Sequence, residues 1–173
     1  MEIAELGQRV YRSAHLTGEF LLRSGQTTGE YFDKYRFEAD PVLLDELAAA
    51  MVALVPADTE VLAGLELGGI PVVTALSRHT GLPCAFVRKR AKEYGTRRLA
   101  EGAEIEGKRV TIVEDVVTTG GQIVLSTHDL RAEGATIAHA LCVINRNPTT
   151  PPALTEAGLT LHPLLTREDL IPG

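Results

Sequence analysis

Val110-Thr111-Ile112-Val113-Glu114-Asp115-Val116-Val117-Thr118-Thr119-Gly120-Gly121-Gln122 is the stretch whose reading decides the fold. Arg109 to Val113 reads as a strand, apolar enough to be buried on both faces. Two carboxylates follow where the strand leaves the core. A Thr-Thr-Gly-Gly turn then opens a helix that runs to about Glu133 and is closed by Gly134. The first N–H groups of a helix have no intrahelical acceptor and sit at the positive end of its dipole, so the turn is an anion site. Glycine lets backbone approach a phosphate closely, and threonine hydroxyls add donors. No Gly-Lys-Ser/Thr follows, so this is not a Walker loop, and it is not a dinucleotide fingerprint either. Two acids beside a phosphate cradle suit a sugar phosphate, with the acids accepting from ribose hydroxyls and the turn holding the 5-phosphate. Any single residue here is equally well a cap or turn residue; the string as a whole argues for the ligand site.

Working outward, the same alternation recurs. Ile3, Leu6, Val10 and Ala14 have helical spacing. Phe20-Leu21-Leu22 and Tyr31-Phe32-Asp33 flank the polar turn Ser24–Gly29, as in a hairpin. Asp40 and Pro41 start a helix that runs to about Val55. Val61–Leu67 is a strand, Ile70–Thr80 a helix stopped by Gly81, and Cys84–Val87 a short strand. Ile137–Ile144 is another apolar strand, Pro152–Ala157 a short helix, and Leu159–Leu165 the last strand. Apolar strands alternating with helices predict an α/β fold, a central mostly parallel sheet flanked by helices. Ligands of such sheets bind beyond the carboxyl ends of the strands.

The chain has 173 residues, 45% hydrophobic and 23% charged, which suits one domain with a small appended lobe and a buried core. Its net charge of -6 disfavours a nucleic-acid partner. No apolar run is long enough to span a membrane, and the acidic, amphipathic start Met1–Glu5 is not a secretory signal. Cys84 and Cys142 lie in apolar stretches and read as core thiols of a reducing, cytoplasmic compartment. The cations are uneven: Arg88, Lys89, Arg90, Lys92, Arg97 and Arg98 face only Glu93 in their own segment. Such a segment on an acidic protein points to a small anionic ligand. It follows a strand, contains Gly95 and has few apolar anchors, so it reads as a mobile lid as well as a solvated charge run.

Val110–Gln122 resembles the PRPP (5-phosphoribosyl 1-pyrophosphate) motif of type I phosphoribosyltransferases: apolar strand, two acids, two variable residues, Thr-Thr-Gly. The resemblance implies that fold, with a small N-terminal hood at residues 1–40 on a transferase core at 41–173. Glu114, Asp115, Val116, Val117, Thr118, Thr119, Gly120, Gly121 and Gln122 would bind PRPP, with Glu114 and Asp115 orienting the ribose hydroxyls. Arg88-Lys89-Arg90-Ala91-Lys92 resembles the catalytic loop of the orotate-specific members, which implies that Arg88, Lys89 and Lys92 contact pyrophosphate and the transition state. In that family the loop crosses a dimer interface, so a homodimer with a shared site is expected. Tyr94 stands where His is common. Val61–Pro71 resembles the family's pyrophosphate turn, which often holds a non-proline cis peptide, here expected between Glu66 and Leu67. Many members carry Lys where Gly68 stands, so one cation is missing or supplied elsewhere.

Gly18–Gly25 resembles the hood segment, in which Arg23 either touches the base or a phosphate or is simply an exposed hairpin arginine. Val143-Ile144-Asn145-Arg146 matches the strand end whose arginine pairs with the orotate carboxylate, with Asn145 in place of the usual Asp. Thr118, Arg146 and Arg23 are the expected orotate contacts. The reaction implied is ribose 5-phosphate transfer from PRPP to orotate, giving orotidine 5'-monophosphate and pyrophosphate in pyrimidine biosynthesis. Mg²⁺ would be held mainly by PRPP, with no cage built by the protein. A purine or uracil transferase and a non-catalytic PRPP sensor of the same fold are the competing readings.

Overall fold

A computed structural model describes residues 2–171; Met1 of the expected hood and Pro172 and Gly173 of the expected core lie outside the described residues. Helix α1 (Ile3–Ala14) leads into an antiparallel hairpin, β1 (His15–Leu21) and β2 (Thr27–Phe32). Two helices follow, α2 (Lys34–Ala39) and α3 (Pro41–Met51), with a short 3-10 turn at Val52–Leu54. The remaining order is β3 (Val61–Leu65), α4 (Gly69–Thr80), β4 (Cys84–Val87), β5 (Ala100–Gly102) and β6 (Arg109–Val117). Helix α5 (Gly121–Ala132), β7 (Thr136–Asn145), α6 (Pro152–Glu156), β8 (Thr160–Thr166) and α7 (Arg167–Leu170) complete it.

The main sheet has strand order β5-β4-β3-β6-β7-β8, parallel throughout except for the antiparallel edge strand β5. Side-chain alternation splits the core in two. Val61, Ala63 and Leu65 of β3 face Ile123 and Leu130 of α5, while Leu62 faces Val72 and Leu76 of α4 and Leu47 of α3. Leu6, Val10 and Ala14 of α1 join that second cluster, so the first helix is part of the main core.

Of the elements that differ from the sequence reading, among them the unexpected α7, three matter most here. Helix α2 was not expected, although Asp33 caps it by accepting from the Tyr35 N–H at 3.2 Å. The edge strand β5 is too short to show a period. Strand β6 runs on to Val117, four residues past the expected end at Val113, because β7 keeps pairing with it as far as Val117 and Asn145. Its pairing with β3 ends at Gly64 and Val113. The strand order reverses between β3 and β6, and there the sheet splits into a crevice at the carboxyl ends of its strands.

Close packing of α4 on β3 holds one wall of that crevice. A Cβ on Gly64 would lie 2.4 Å from Val73 Cγ1 and 2.6 Å from the Gly69 carbonyl oxygen. Gly64→Ala should therefore push α4 outward and cost about 1–3 kcal/mol. A urea midpoint indistinguishable from wild type would show that the interface tolerates a methyl group.

Candidate functional site

The turn after β6 is built as its glycines require. Gly120 has φ +77°, which favours glycine, and a Cβ there would lie 2.9 Å from Leu154 Cγ. Glu114, Val116, Val117, Thr118, Thr119, Gly120, Gly121 and Gln122 all line one small cavity of about 100 Å³. Among the described residues no protein group accepts from the N–H of Thr118, Thr119 or Gly120, while the Gly121 N–H donates to Thr119 Oγ1 at 3.2 Å. Thr118 and Thr119 are exposed. Three open amides at the start of α5 form an anion cradle.

Asp115 is not among the residues lining that cavity. Its side chain is fully buried, and Oδ2 lies 2.7 Å from Lys34 Nζ of α2. Oδ1 accepts from the Val116 N–H at 2.6 Å. Burial works against its charge, but hydrogen bonds from Glu38, Lys34 and Glu114 prevail and hold its pKa below the ordinary value. Glu38 is pushed the other way, to about 9, first by burial and then by its hydrogen bond to Asp115. Glu114 is raised to about 8, by burial and then by the Asp115 charge. Burial also opposes the charge of Lys34, but Asp115 outweighs it and raises the ammonium pKa. Neither Lys34 nor Glu38 was singled out in the sequence; their i, i+4 spacing on α2 was the available signal.

The peptide bond between Glu66 and Leu67 is cis, as expected. This turn and the basic segment share a cavity of about 200 Å³ lined by Glu66, Leu67, Ile70, Val87, Arg88 and Glu101. Glu66 Oε1 accepts from the Lys89 N–H. Lys92 Nζ lies 2.8 Å from Glu101 Oε1, with Arg88 Nε at 3.7 Å from the same oxygen. The Lys92 hydrogen bond draws the Glu101 pKa below its ordinary value. The structure thus brings Arg88 to the pyrophosphate turn, whereas Lys89 and Lys92 do not line the 114–123 cavity.

A third cavity, of about 340 Å³, lies between hood and core, lined by Tyr11, Tyr31, Phe32, Arg146 and Arg167 among others. The Arg146 guanidinium sits 5.4 Å from the Phe32 ring centroid, and the Arg146 backbone N–H donates to the Val117 carbonyl at 3.0 Å. Phe32 and Arg167 are lining residues that the sequence reading did not select. Arg23 is exposed in the hairpin and does not line this cavity. Asn145 Oδ1 accepts from the Asn147 N–H at 3.1 Å, and its Nδ2 donates to the Thr149 carbonyl at 3.3 Å, so the departure from Asp organises the next loop. Among the described residues no group of three or more His, Cys, Asp or Glu is placed to hold a metal ion, and no helix is long and apolar enough to cross a membrane.

A strand, acid pair and open-amide turn at the switch point of this sheet define a class, and residues 41–157 match the phosphoribosyl transferase domain family. The chain belongs to that family, on its orotate phosphoribosyltransferase branch. It is similar to the orotate phosphoribosyltransferase of Nocardioides sp., 50% identical over 96% of this chain and 93% of that one. The Mycobacterium tuberculosis orotate phosphoribosyltransferase in complex with Fe(III) dicitrate superposes with a TM-score of 0.87 at 32% identity, covering 97% of this chain and 98% of that one. The same enzyme in complex with PRPP gives 0.82 at 29% identity, covering 97% and 98%.

The raised carboxyls make stability depend on pH. Glu38 binds its proton more tightly folded than unfolded, so its contribution is complete below pH 4.5 and is lost as pH rises towards about 9. Glu114 acts in the same direction. Thermal melts from pH 5 to 9 should show a falling Tm, with Glu38→Gln flattening the decline. A variant that parallels wild type across the range would contradict a neutral Glu38.

Proposed function

We propose that this chain transfers ribose 5-phosphate from PRPP to orotate, releasing pyrophosphate and orotidine 5'-monophosphate, as a step of pyrimidine biosynthesis. One observation carries the reading: the Arg146 backbone N–H donates to the Val117 carbonyl, which sets the end of β7 beside the open amides of Thr118–Gly120, while the Arg146 guanidinium lines the cavity between hood and core. A pentose phosphate seated on the turn therefore presents its C1 side to a base held by Arg146. The hairpin β1–β2 within residues 1–40 serves as a hood over the base, and residues 41–173, with helix α1 packed into their core, carry the transfer.

In the reaction the bond from C1 to the pyrophosphate oxygen breaks and the oxygen keeps the electron pair. Positive charge develops on the ribose ring, as in glycoside chemistry. The orotate ring nitrogen attacks the opposite face and forms the new bond to C1. The proton of that ring nitrogen leaves to the released pyrophosphate or to water, and the protein's part is orientation and charge stabilisation. Thr118, Thr119, Gly120, Gly121 and Gln122 hold the 5-phosphate and Glu114 positions the ribose, while Asp115, expected to share that task, is buried against Lys34 and supports the strand end from behind. Arg146, with Phe32 beneath it, takes the orotate carboxylate as a planar two-donor partner. A magnesium ion would be held mainly by the oxygens of PRPP and by water, since a hard cation of this kind keeps substrate phosphates as its main ligands. When bound, it supplies neutralisation of pyrophosphate charge.

Lys89 and Lys92 act on the leaving group once the lid closes, which for Lys92 means leaving Glu101. A homodimer in which the loop serves the neighbouring subunit accounts for their place outside the 114–123 cavity. The setting is cytoplasmic.

Purified protein with PRPP and Mg²⁺ should release pyrophosphate with orotate and not with uracil, adenine or hypoxanthine; turnover with one of the latter would overturn the base assignment. Arg146→Ala should raise the orotate KM about tenfold to a hundredfold and leave that for PRPP nearly unchanged. Lys89→Ala or Lys92→Ala should lower kcat by about 10²-fold with little loss of PRPP binding. Unaltered turnover would remove the lid from the mechanism.

A further inference from the structure

Three elements converge on one carboxylate oxygen. A Cβ built on Gly68, in the turn after β3, would lie 1.8 Å from Asp115 Oδ2. Lys34 Nζ, from α2, lies 2.7 Å from the same atom. Asp115 therefore fills the place where a side chain at position 68 would begin, and the ammonium stands within a few ångströms of it. Beside the split between β3 and β6, a lysine from the hood side is thus held next to the turn through Asp115.

The anchor is buried and the cation is not. The Asp115 side chain has no exposure, whereas that of Lys34 is 34% exposed. An ammonium has three donors, and Asp115 engages one side of it. The Tyr35 ring packs 5.3 Å from Nζ and restricts the stem. The other groups around Asp115 are Glu38 of α2, Glu114 of β6 and the Cys142 thiol of β7, with Glu66 on the turn committed to the Lys89 amide. Burial keeps Glu38 and Glu114 protonated at neutral pH, so they do not surround the ammonium with negative charge. Burial likewise keeps Cys142 a neutral thiol.

We propose that Lys34 is a further substrate-binding residue, its ammonium anchored on the Asp115 carboxylate that packs against Gly68 and available to the pyrophosphate and ribose end of PRPP. The inference rests on the reading of the crevice as a PRPP site. It gives the hood a second task besides covering the base: α2 delivers a cation to the sugar-phosphate half, so that docking of the hood and binding of PRPP favour each other.

The test is calorimetric titration of pyrophosphate and of PRPP, with Mg²⁺, into wild type, Lys34→Met and Lys34→Arg, alongside KM for both substrates and a thermal melt of each protein. Lys34→Met should weaken pyrophosphate and PRPP about tenfold or more. The orotate KM should stay within about twofold, and Lys34→Arg should recover most of the loss. Folded Lys34→Met that binds pyrophosphate as tightly as wild type would overturn the proposal. So would equal losses for orotate and PRPP without rescue by arginine, which is the pattern of a purely structural lysine. If an unpaired Asp115 prevents Lys34→Met from folding, Lys34→Met/Asp115→Asn compared with Asp115→Asn alone reads the same difference: weaker pyrophosphate binding in the double variant supports the role and equal binding removes it. Failure of the wild type itself to bind PRPP would instead sink the reading of the crevice.

Discussion

The pairing of β6 with β7 beyond the point where β3 leaves it is the constraint on which the site depends. Up to Val113 the strand is held from both sides; from Glu114 to Val117 it is held by β7 alone. That one-sided support keeps the acid pair extended, frees one flank as a crevice wall, and delivers Thr118 at a fixed place above the sheet. Two consecutive strand residues point to opposite faces. Glu114 accordingly lines the phosphate cavity while Asp115 turns into the protein towards Lys34. The two acids of the motif thus have different tasks.

Charge in this region is arranged by burial. Three carboxyls and one ammonium lie close together in a partly dry setting, where like charges repel strongly. The cluster resolves this by keeping Asp115 charged against Lys34 and leaving Glu38 and Glu114 protonated. The crevice is thereby spared a block of negative charge despite its acidic sequence, which suits the anionic substrate proposed for it. The acidic net charge of the chain is compatible with the same end, because the cations are concentrated in Arg88–Arg98 and at Arg146.

Much of this was legible in the sequence where the signal is local. Asp40 followed by Pro41 marked α3, Gly81 marked the end of α4, and the string Glu114–Gln122 marked the turn, each through the chemistry of one or a few adjacent residues. The position of the cis bond came from resemblance to a family rather than from any periodicity. What escaped depends on partners far along the chain. Strand β6 looked finished at Val113 because charged residues follow, and only β7 shows that it continues. The basic segment seemed opposed by Glu93 alone, yet Glu101 from β5 receives Lys92. Lys34 carried no local signal of its own; only the Asp33-capped helix and the distant Asp115 give it a place.

Amide hydrogen exchange at Thr118, Thr119 and Gly120, followed by NMR without and with ribose 5-phosphate, tests the central claim most directly. The account predicts rapid exchange of these three amides in the free protein, as expected for donors without protein acceptors. It also predicts marked slowing and chemical-shift change on binding, with α5 interior amides unaffected. Binding that leaves the three amides unchanged, or amides already protected without ligand, would contradict the assignment of this turn as the phosphate site.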